Sequence, residues 1–168
     1  MELKKLTEAT MNLLDIKDIK ELPNAILSTC RENKTNAFLE FEHIVEDLNT
    51  DWLQQIYQYH LADREEKKQD YTPKSLADFM GKLAGDSEVI IDMCAGSGAL
   101  TIQKWKRNKN IEFILYEYDE NVIPILIFNM MLRNIECVIY HADVLQDEVY
   151  HVYKIKKGNK YGIFEEVR

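Results

Sequence analysis

The sequence is short of cysteine, proline and long apolar stretches, and each shortage excludes a class of protein. The three cysteines, Cys30, Cys94 and Cys137, are odd in number and far apart, which indicates neither a disulfide framework nor a paired-cysteine zinc site. We expect buried free thiols. The four histidines share no ligand spacing with one another or with the cysteines, so we expect no metal. Because no apolar run could span a bilayer and the N-terminus lacks a signal-peptide core, we expect a cytoplasmic protein without a membrane partner.

Positive charge is also in deficit. Lys and Arg number 21 against 29 Asp and Glu, a net charge of −8, which argues against a surface made wholly for nucleic acid. Hydrophobic residues make up 46% and charged residues 30%, a balance typical of a globular protein. A chain of 168 residues predicts one domain with a full core and a small helical appendage.

Residues 1–68 are predicted to form a helical N-terminal region. Apolar residues recur there at helical spacing, most clearly over Asn36 to Leu48, and Asp51 is placed to cap the next helix. This region contains no recognisable chemistry. We expect a second unit, residues 69–168, to carry the function.

From residue 69 the pattern changes to alternating strands and helices. Ser75 is predicted to cap a helix that Gly85 closes, and the β-branched run Val89 to Ile91 predicts a strand buried on both faces. Helices follow over residues 99–106 and 121–134, and strands over 111–116 and 136–141. This order predicts an α/β fold with a doubly wound, mainly parallel sheet, a Rossmann-like core whose ligand lies at the carboxyl ends of the strands.

Three acidic residues end the three predicted strands, and a glycine turn follows the first. Asp92 precedes Gly96 and Gly98, which allow a sharp turn and close approach of a ligand. Glu117 follows Gly98 by about 20 residues, the spacing at which an acid grips a ribose diol, and Asp143 ends the third strand. The alternatives are a turn without a ligand and an exposed charge at position 117.

The loop favours a cofactor without phosphate. Thr101 stands three positions after Gly98, where a dinucleotide loop would have glycine, and no lysine follows at the Walker spacing. S-adenosylmethionine fits better, because it joins an adenosine to an amino acid. The strand end and glycine turn suit its ammonium group, Glu117 its ribose and Asp143 the adenine amine.

Four segments in order resemble motifs of the adenine-N6 DNA methyltransferases, especially the modification subunits of type I restriction systems. They are Gln69 to Ala77, Asp92 to Leu100, Glu117 to Asp119 with Asn129 to Leu132, and Ala142 to Leu145. The resemblance implies that Tyr71 and Thr72 approach the methionine part of the cofactor. It also implies a cofactor-binding set of Asp92, Ala95, Gly96, Gly98, Glu117, Tyr118, Asp143 and Val144.

The sequence departs from that family at the catalytic motif. Family members carry Asp/Asn-Pro-Pro-Tyr/Phe after a fourth strand, whereas the three prolines here are Pro23, Pro73 and Pro124. We therefore expect a cofactor-binding part that methylates DNA only when a partner supplies the catalytic motif and target recognition. One alternative is a non-catalytic cofactor-binding or interaction module, joined to another protein or to a second copy of itself.

The C-terminal residues leave two arrangements open. Alternating residues on either side of Gly158 and Asn159 predict a hairpin, and the alternative makes Lys160 to Val167 a fourth parallel strand. In that arrangement Glu165 and Glu166 would occupy the catalytic position. A small-molecule methyltransferase with one of these two residues as base is the remaining hypothesis.

Overall fold

A computed structural model describes residues 2–63, 65, 72–85 and 87–167. That part of the chain forms seven α-helices, a short 3-10 helix at Ile19–Glu21 and five β-strands. The helices are α1 (Leu3–Leu13), α2 (Leu22–Arg31), α3 (Thr35–Ile44), α4 (Trp52–His60), α5 (Lys74–Leu83), α6 (Ala99–Arg107) and α7 (Ile123–Leu132). The strands are β1 (Val89–Asp92), β2 (Glu112–Glu117), β3 (Cys137–Asp143), β4 (Glu148–Lys156) and β5 (Ile163–Glu166).

The helices of the N-terminal region follow the predicted pattern, with one difference at a helix end. Asp51 caps α4 as expected, since its side chain accepts a hydrogen bond from the Gln54 N–H at 3.0 Å. Helix α3 ends at Ile44 rather than at Leu48. The reason is local, because the Asp47 carboxylate accepts the Asn49 N–H and the Thr50 hydroxyl and so stabilises a turn.

The five strands form one mixed sheet in the order β1-β2-β3-β4-β5. Strands β1, β2 and β3 are parallel, while β4 and β5 are each antiparallel to the strand before them. The prediction of a mainly parallel sheet therefore holds for the first three strands only. The C-terminal hairpin is confirmed, although residues 157–162 connect its strands instead of a two-residue turn, and the alternative of a fourth parallel strand is wrong.

Two predictions around β1 are wrong. The strand was expected to be buried on both faces, but it lies at the edge of the sheet, with Val89 46% and Ile91 59% exposed. Ser75 was expected to cap α5, but the helix begins at Lys74 directly after Pro73, which places Ser75 inside the first turn. Gly85 follows the helix end with a φ of 62°, as predicted.

Helix α7 lies at the centre of the core, between the sheet and the N-terminal helices. All ten of its residues are buried, which confirms the expectation from its apolar sequence. Phe38 and Phe41 of α3 pack on Phe128, with ring centroids 4.8 and 5.3 Å apart. The helical region and the sheet thus share one apolar cluster.

Two of the three cysteines are buried, and the predicted domain boundary lies outside the described residues. Cys30 and Cys137 are buried free thiols as expected, but Cys94 is exposed, because it lies in the loop after β1. The boundary predicted at residue 68 falls among residues 66–71, outside the described residues, so it stays a prediction.

Candidate functional site

Three acidic residues lie at the carboxyl ends of the parallel strands. Asp92, Glu117 and Asp143 are the last residues of β1, β2 and β3. Because these strands are parallel and adjacent, their carboxyl ends lie side by side. The structure therefore brings the three acids together as the strand order predicted.

The loop after β1 needs both of its glycines. Gly96 and Gly98 have φ values of 56° and 93°, in the left-handed region that favours glycine. A Cβ at Gly98 would lie 2.7 Å from Cε of Met130, so α7 packs directly against the turn. The Ala95 N–H donates to the Tyr116 carbonyl at 2.8 Å, which joins the loop to the end of β2.

Glu117 connects the glycine loop to the loop after β2. Its Oε2 accepts the Gly96 N–H and its Oε1 accepts the Asp119 N–H, both at 2.8 Å. Burial raises the pKa of this carboxyl above its ordinary value, while the two backbone N–H groups lower it. Each carboxylate oxygen has two lone pairs, so Glu117 retains the capacity to accept hydrogen bonds from a diol.

Asp92 and Asp143 shape the turns that follow their own strands. Oδ1 of Asp92 accepts the Cys94 N–H at 3.1 Å, and burial raises the pKa of Asp92. Oδ1 of Asp143 accepts the N–H groups of Leu145 and Gln146 at 2.9 and 3.1 Å. In both residues Oδ1 stabilises the turn, and Oδ2 takes no part in these hydrogen bonds.

The remaining predicted residues surround these acids to different degrees. Ala95 is buried in the loop, Val144 is half-buried and the side chain of Tyr118 is exposed. Thr72 lines a cleft of about 330 Å³ together with Ala99, the first residue of α6. Thr72 therefore lies near the glycine loop, whereas Tyr71 lies outside the described residues.

The comparison with known families identifies this arrangement. The family described as N-6 DNA Methylase matches residues 48–159, about two thirds of the chain. The chain belongs to the N-6 DNA methylase family. No curated protein and no solved structure matches it.

Sequence reasoning missed a buried polar network behind the glycine loop. Nδ2 of Asn129, in α7, donates to Oδ1 of Asp51 and to the carbonyl of Ser97, both at 2.9 Å. Arg133, one turn further, donates from Nη1 to Oδ1 of Asn129 at 2.9 Å and from Nη2 to the Thr50 carbonyl at 2.8 Å. The network thus joins the start of α4 to the loop.

Burial dominates the electrostatics of this network. It raises the pKa of Asp51, against the nearby Arg133, and it lowers the pKa of Arg133 to about 10. The sequence carries one signal for the network, since Asn129 is the one polar residue in the otherwise apolar run of α7. Such a residue on a fully buried helix requires partners.

The two glutamates considered as alternative bases lie away from the three acids. They belong to β5, the sheet edge opposite β1, which is about 19 Å away at the usual strand spacing. Glu165 forms a salt bridge with Nζ of Lys156 at 2.8 Å, and Glu166 forms one with Arg31 at 3.1 Å. Neither lies among the residues that end β1, β2 and β3, so the hypothesis that one of them is a base stays a prediction.

Among residues 2–63, 65, 72–85 and 87–167, no helix is long and apolar enough to cross a membrane. Within the same ranges, no group of three or more His, Cys, Asp or Glu side chains is arranged to hold a metal ion.

Proposed function

We propose that this chain binds S-adenosylmethionine as the cofactor-binding part of an adenine-N6 DNA methyltransferase of the restriction–modification type. The proposal includes a Rossmann-like core over residues 69–168, preceded by the helical region 1–68. Methylation of DNA then requires a partner chain that supplies the catalytic motif and target recognition. The observation that carries the proposal is the Glu117 carboxylate, joined by hydrogen bonds to the Gly96 N–H inside a family-matched strand, loop and helix.

The chemistry of the three acids fits this cofactor. Glu117 accepts from the two ribose hydroxyls, Asp92 faces the ammonium group, and Asp143 accepts from the adenine amine. Three carboxylates at the carboxyl ends of the strands would repel a phosphate-bearing cofactor, whereas S-adenosylmethionine carries positive charge. When bound, S-adenosylmethionine supplies the methyl group. The residues of this chain hold and orient the donor.

Several further segments support the other parts of the cofactor. Ala95, Gly96 and Gly98 form the backbone wall of the loop, and Tyr118 and Val144 directly follow the acids that end β2 and β3. Thr72 contacts the methionine part from the cleft beside α6, and the family resemblance assigns Tyr71 to the same part of the cofactor. The buried Asn129 holds the loop from behind through the Ser97 carbonyl.

Calorimetry with S-adenosylmethionine tests the proposal. We expect Glu117→Ala to weaken binding by about 1–3 kcal/mol, because a charged acceptor is lost. Glu120, an exposed acid three residues later, gives the matched control, since Glu120→Ala should leave the affinity unchanged.

A cofactor analogue separates ribose contact from support of the loop. If Glu117 accepts from the ribose, removing the 3′-hydroxyl should weaken binding to the unmodified protein and have little further effect on Glu117→Ala. Equal losses in both proteins would contradict the ribose contact. Absence of binding by the folded, unmodified chain would contradict the whole proposal.

A second candidate, a non-catalytic cofactor-binding module, is favoured by one feature of the sequence. None of the three prolines is adjacent to another, so the family's Pro-Pro motif is not in this chain. Incubation of the isolated protein with radiolabelled cofactor and DNA separates the candidates from independent catalysis. Both predict unlabelled DNA, and only the first predicts labelled DNA once a partner carrying the catalytic motif is added.

A further inference from the structure

Helix α5 exposes an apolar stripe at the spacing of a packed helix face. It contacts α6 through its buried face, Ala77 and Gly81. The residues at the next helical stripe, Leu76, Phe79, Met80 and Leu83, are all exposed, Phe79 to 53%. Their i, i+3, i+4, i+7 spacing is that of residues that pack against a neighbouring element.

Strand β1 exposes apolar residues directly beside that stripe. Val89, Ile91 and the following Met93 are exposed, although the strand is β-branched like a central strand. Met80 of α5 and Ile91 of β1 line the same cleft, of about 220 Å³. The stripe and the strand therefore form one continuous surface, which we call the β1–α5 surface.

The backbone of β1 determines what this surface can receive. The Glu88 carbonyl accepts a hydrogen bond from the Glu112 N–H at 2.9 Å, so the backbone groups of Glu88 point toward β2. Because successive residues of a strand point their N–H and C=O groups to opposite sides, Val89 and Ile91 point theirs away from the sheet. Among the described strands β1 pairs with β2 alone. An extended segment can satisfy these groups.

The charges beside β1 favour a different protein over a second copy. Glu88 and Glu112 lie at the beginning of the strand pair, and Asp92 lies at its end. If two copies paired antiparallel about Ile90, Glu88 of each would lie opposite Asp92 of the other. Like charges at that position oppose self-pairing, as does a net charge of −8 on each chain.

We propose that the β1–α5 surface receives an added β-strand from a different protein chain, with apolar side chains toward α5 and basic residues at the ends of the strand. The inference rests on the proposed function, and it specifies how the partner of this methyltransferase part attaches. The added strand lies beside the strand that ends in Asp92, so its end falls next to the cofactor loop. The partner is thereby placed where methyl transfer would occur.

A synthetic peptide of alternating valine and threonine, flanked by lysines, serves as the probe. Its binding is measured by calorimetry, and hydrogen exchange follows the Val89 and Ile91 amides. We expect binding to slow exchange at these two amides. A peptide with every second amide N-methylated cannot pair along that edge and should bind at least about tenfold more weakly. Equal binding of both peptides, or unchanged exchange at both amides, would overturn the proposal.

Matched variants locate the surface on the protein. Ile91→Lys should weaken peptide binding by about tenfold or more. Ile163→Lys is the control, because Ile163 is 46% exposed on the opposite sheet edge, and it should leave binding unchanged. The reverse pattern, or equal losses in both variants, would contradict the β1–α5 surface.

Two measurements distinguish the remaining outcomes. Sedimentation should show a monomer, whereas a dimer that Ile91→Lys dissociates would make a second copy the occupant and overturn the proposal. Calorimetry with S-adenosylmethionine on the same samples tests the proposed function by itself. Peptide binding without cofactor binding would refute that function and leave strand addition standing, and the converse would refute strand addition alone.

Discussion

Asn129 makes the buried network behind the glycine loop open to a direct test. Replacing it by alanine removes the amide that donates to Asp51 and to the Ser97 carbonyl and that accepts from Arg133, with all three distances 2.9 Å. Asn129, Asp51 and Arg133 are all buried. Water from the surface therefore does not readily replace the lost partners.

The expected loss follows from the partners that the substitution leaves behind. Two of the three hydrogen bonds involve a charged group, and such bonds contribute about 1.5–3 kcal/mol each. The third leaves the Ser97 carbonyl without its donor, at about 1 kcal/mol. Allowing for closer pairing of Asp51 with Arg133 in the variant, we expect Asn129→Ala to lower the free energy of unfolding by about 3–5 kcal/mol.

Urea denaturation followed by circular dichroism measures this loss. Asn36→Ala is the matched control, because Asn36 is an exposed asparagine on α3, and its effect should stay within about 0.5 kcal/mol. The double variant with Asp51→Asn should lose less than the sum of the single variants, since the residues share one network. A loss below about 1 kcal/mol for Asn129→Ala, or strict additivity, would refute the reasoning.

Three further predictions concern the glycine loop, Glu117 and strand β5. Gly98→Ala should destabilise the protein by about 2–4 kcal/mol in urea, because alanine is strained at a φ of 93° and its Cβ would meet Met130; an unchanged midpoint would contradict the packing. Burial raises the pKa of Glu117 above 4.5, so calorimetry over a pH series should show cofactor affinity falling already above pH 4.5 as Glu117 takes up a proton. The folded state then binds that proton more tightly than the unfolded state does. The stability that Glu117 contributes is therefore present below pH 4.5 and is lost as the pH rises through the raised pKa of Glu117 in the folded state. Glu117→Gln should remove this pH dependence from the free energy of unfolding measured in urea, and an identical pH profile in the variant would contradict the linkage. Glu166→Gln breaks the exposed pair with Arg31 and should cost at most about 1 kcal/mol in urea with no change in cofactor affinity, whereas a large loss of affinity would place β5 in the site.

The local elements could be predicted because each depends on neighbouring residues. The apolar run predicted α7. The order of strands that each end in an acidic residue predicted that Asp92, Glu117 and Asp143 lie at the carboxyl ends of the strands. The spacing of Glu117 from the glycine turn predicted a ribose contact, which stays a prediction, and the structure shows Glu117 accepting a hydrogen bond from the Gly96 N–H of that turn. Parallel order converts such spacing into proximity, because consecutive strands end at one edge.

The sequence by itself determined the strand, glycine loop and helix, since backbone sterics and side-chain type decide these locally. Tertiary structure alone decided that β1 lies at an exposed edge, that β4 pairs antiparallel with β3, and that Asn129 lies between Asp51 and Ser97. A β-branched strand has the same pattern whether or not a neighbour covers it. Whether that pattern is buried depends on which elements pack beside it, and strand neighbours are set by contacts between residues far apart in the chain.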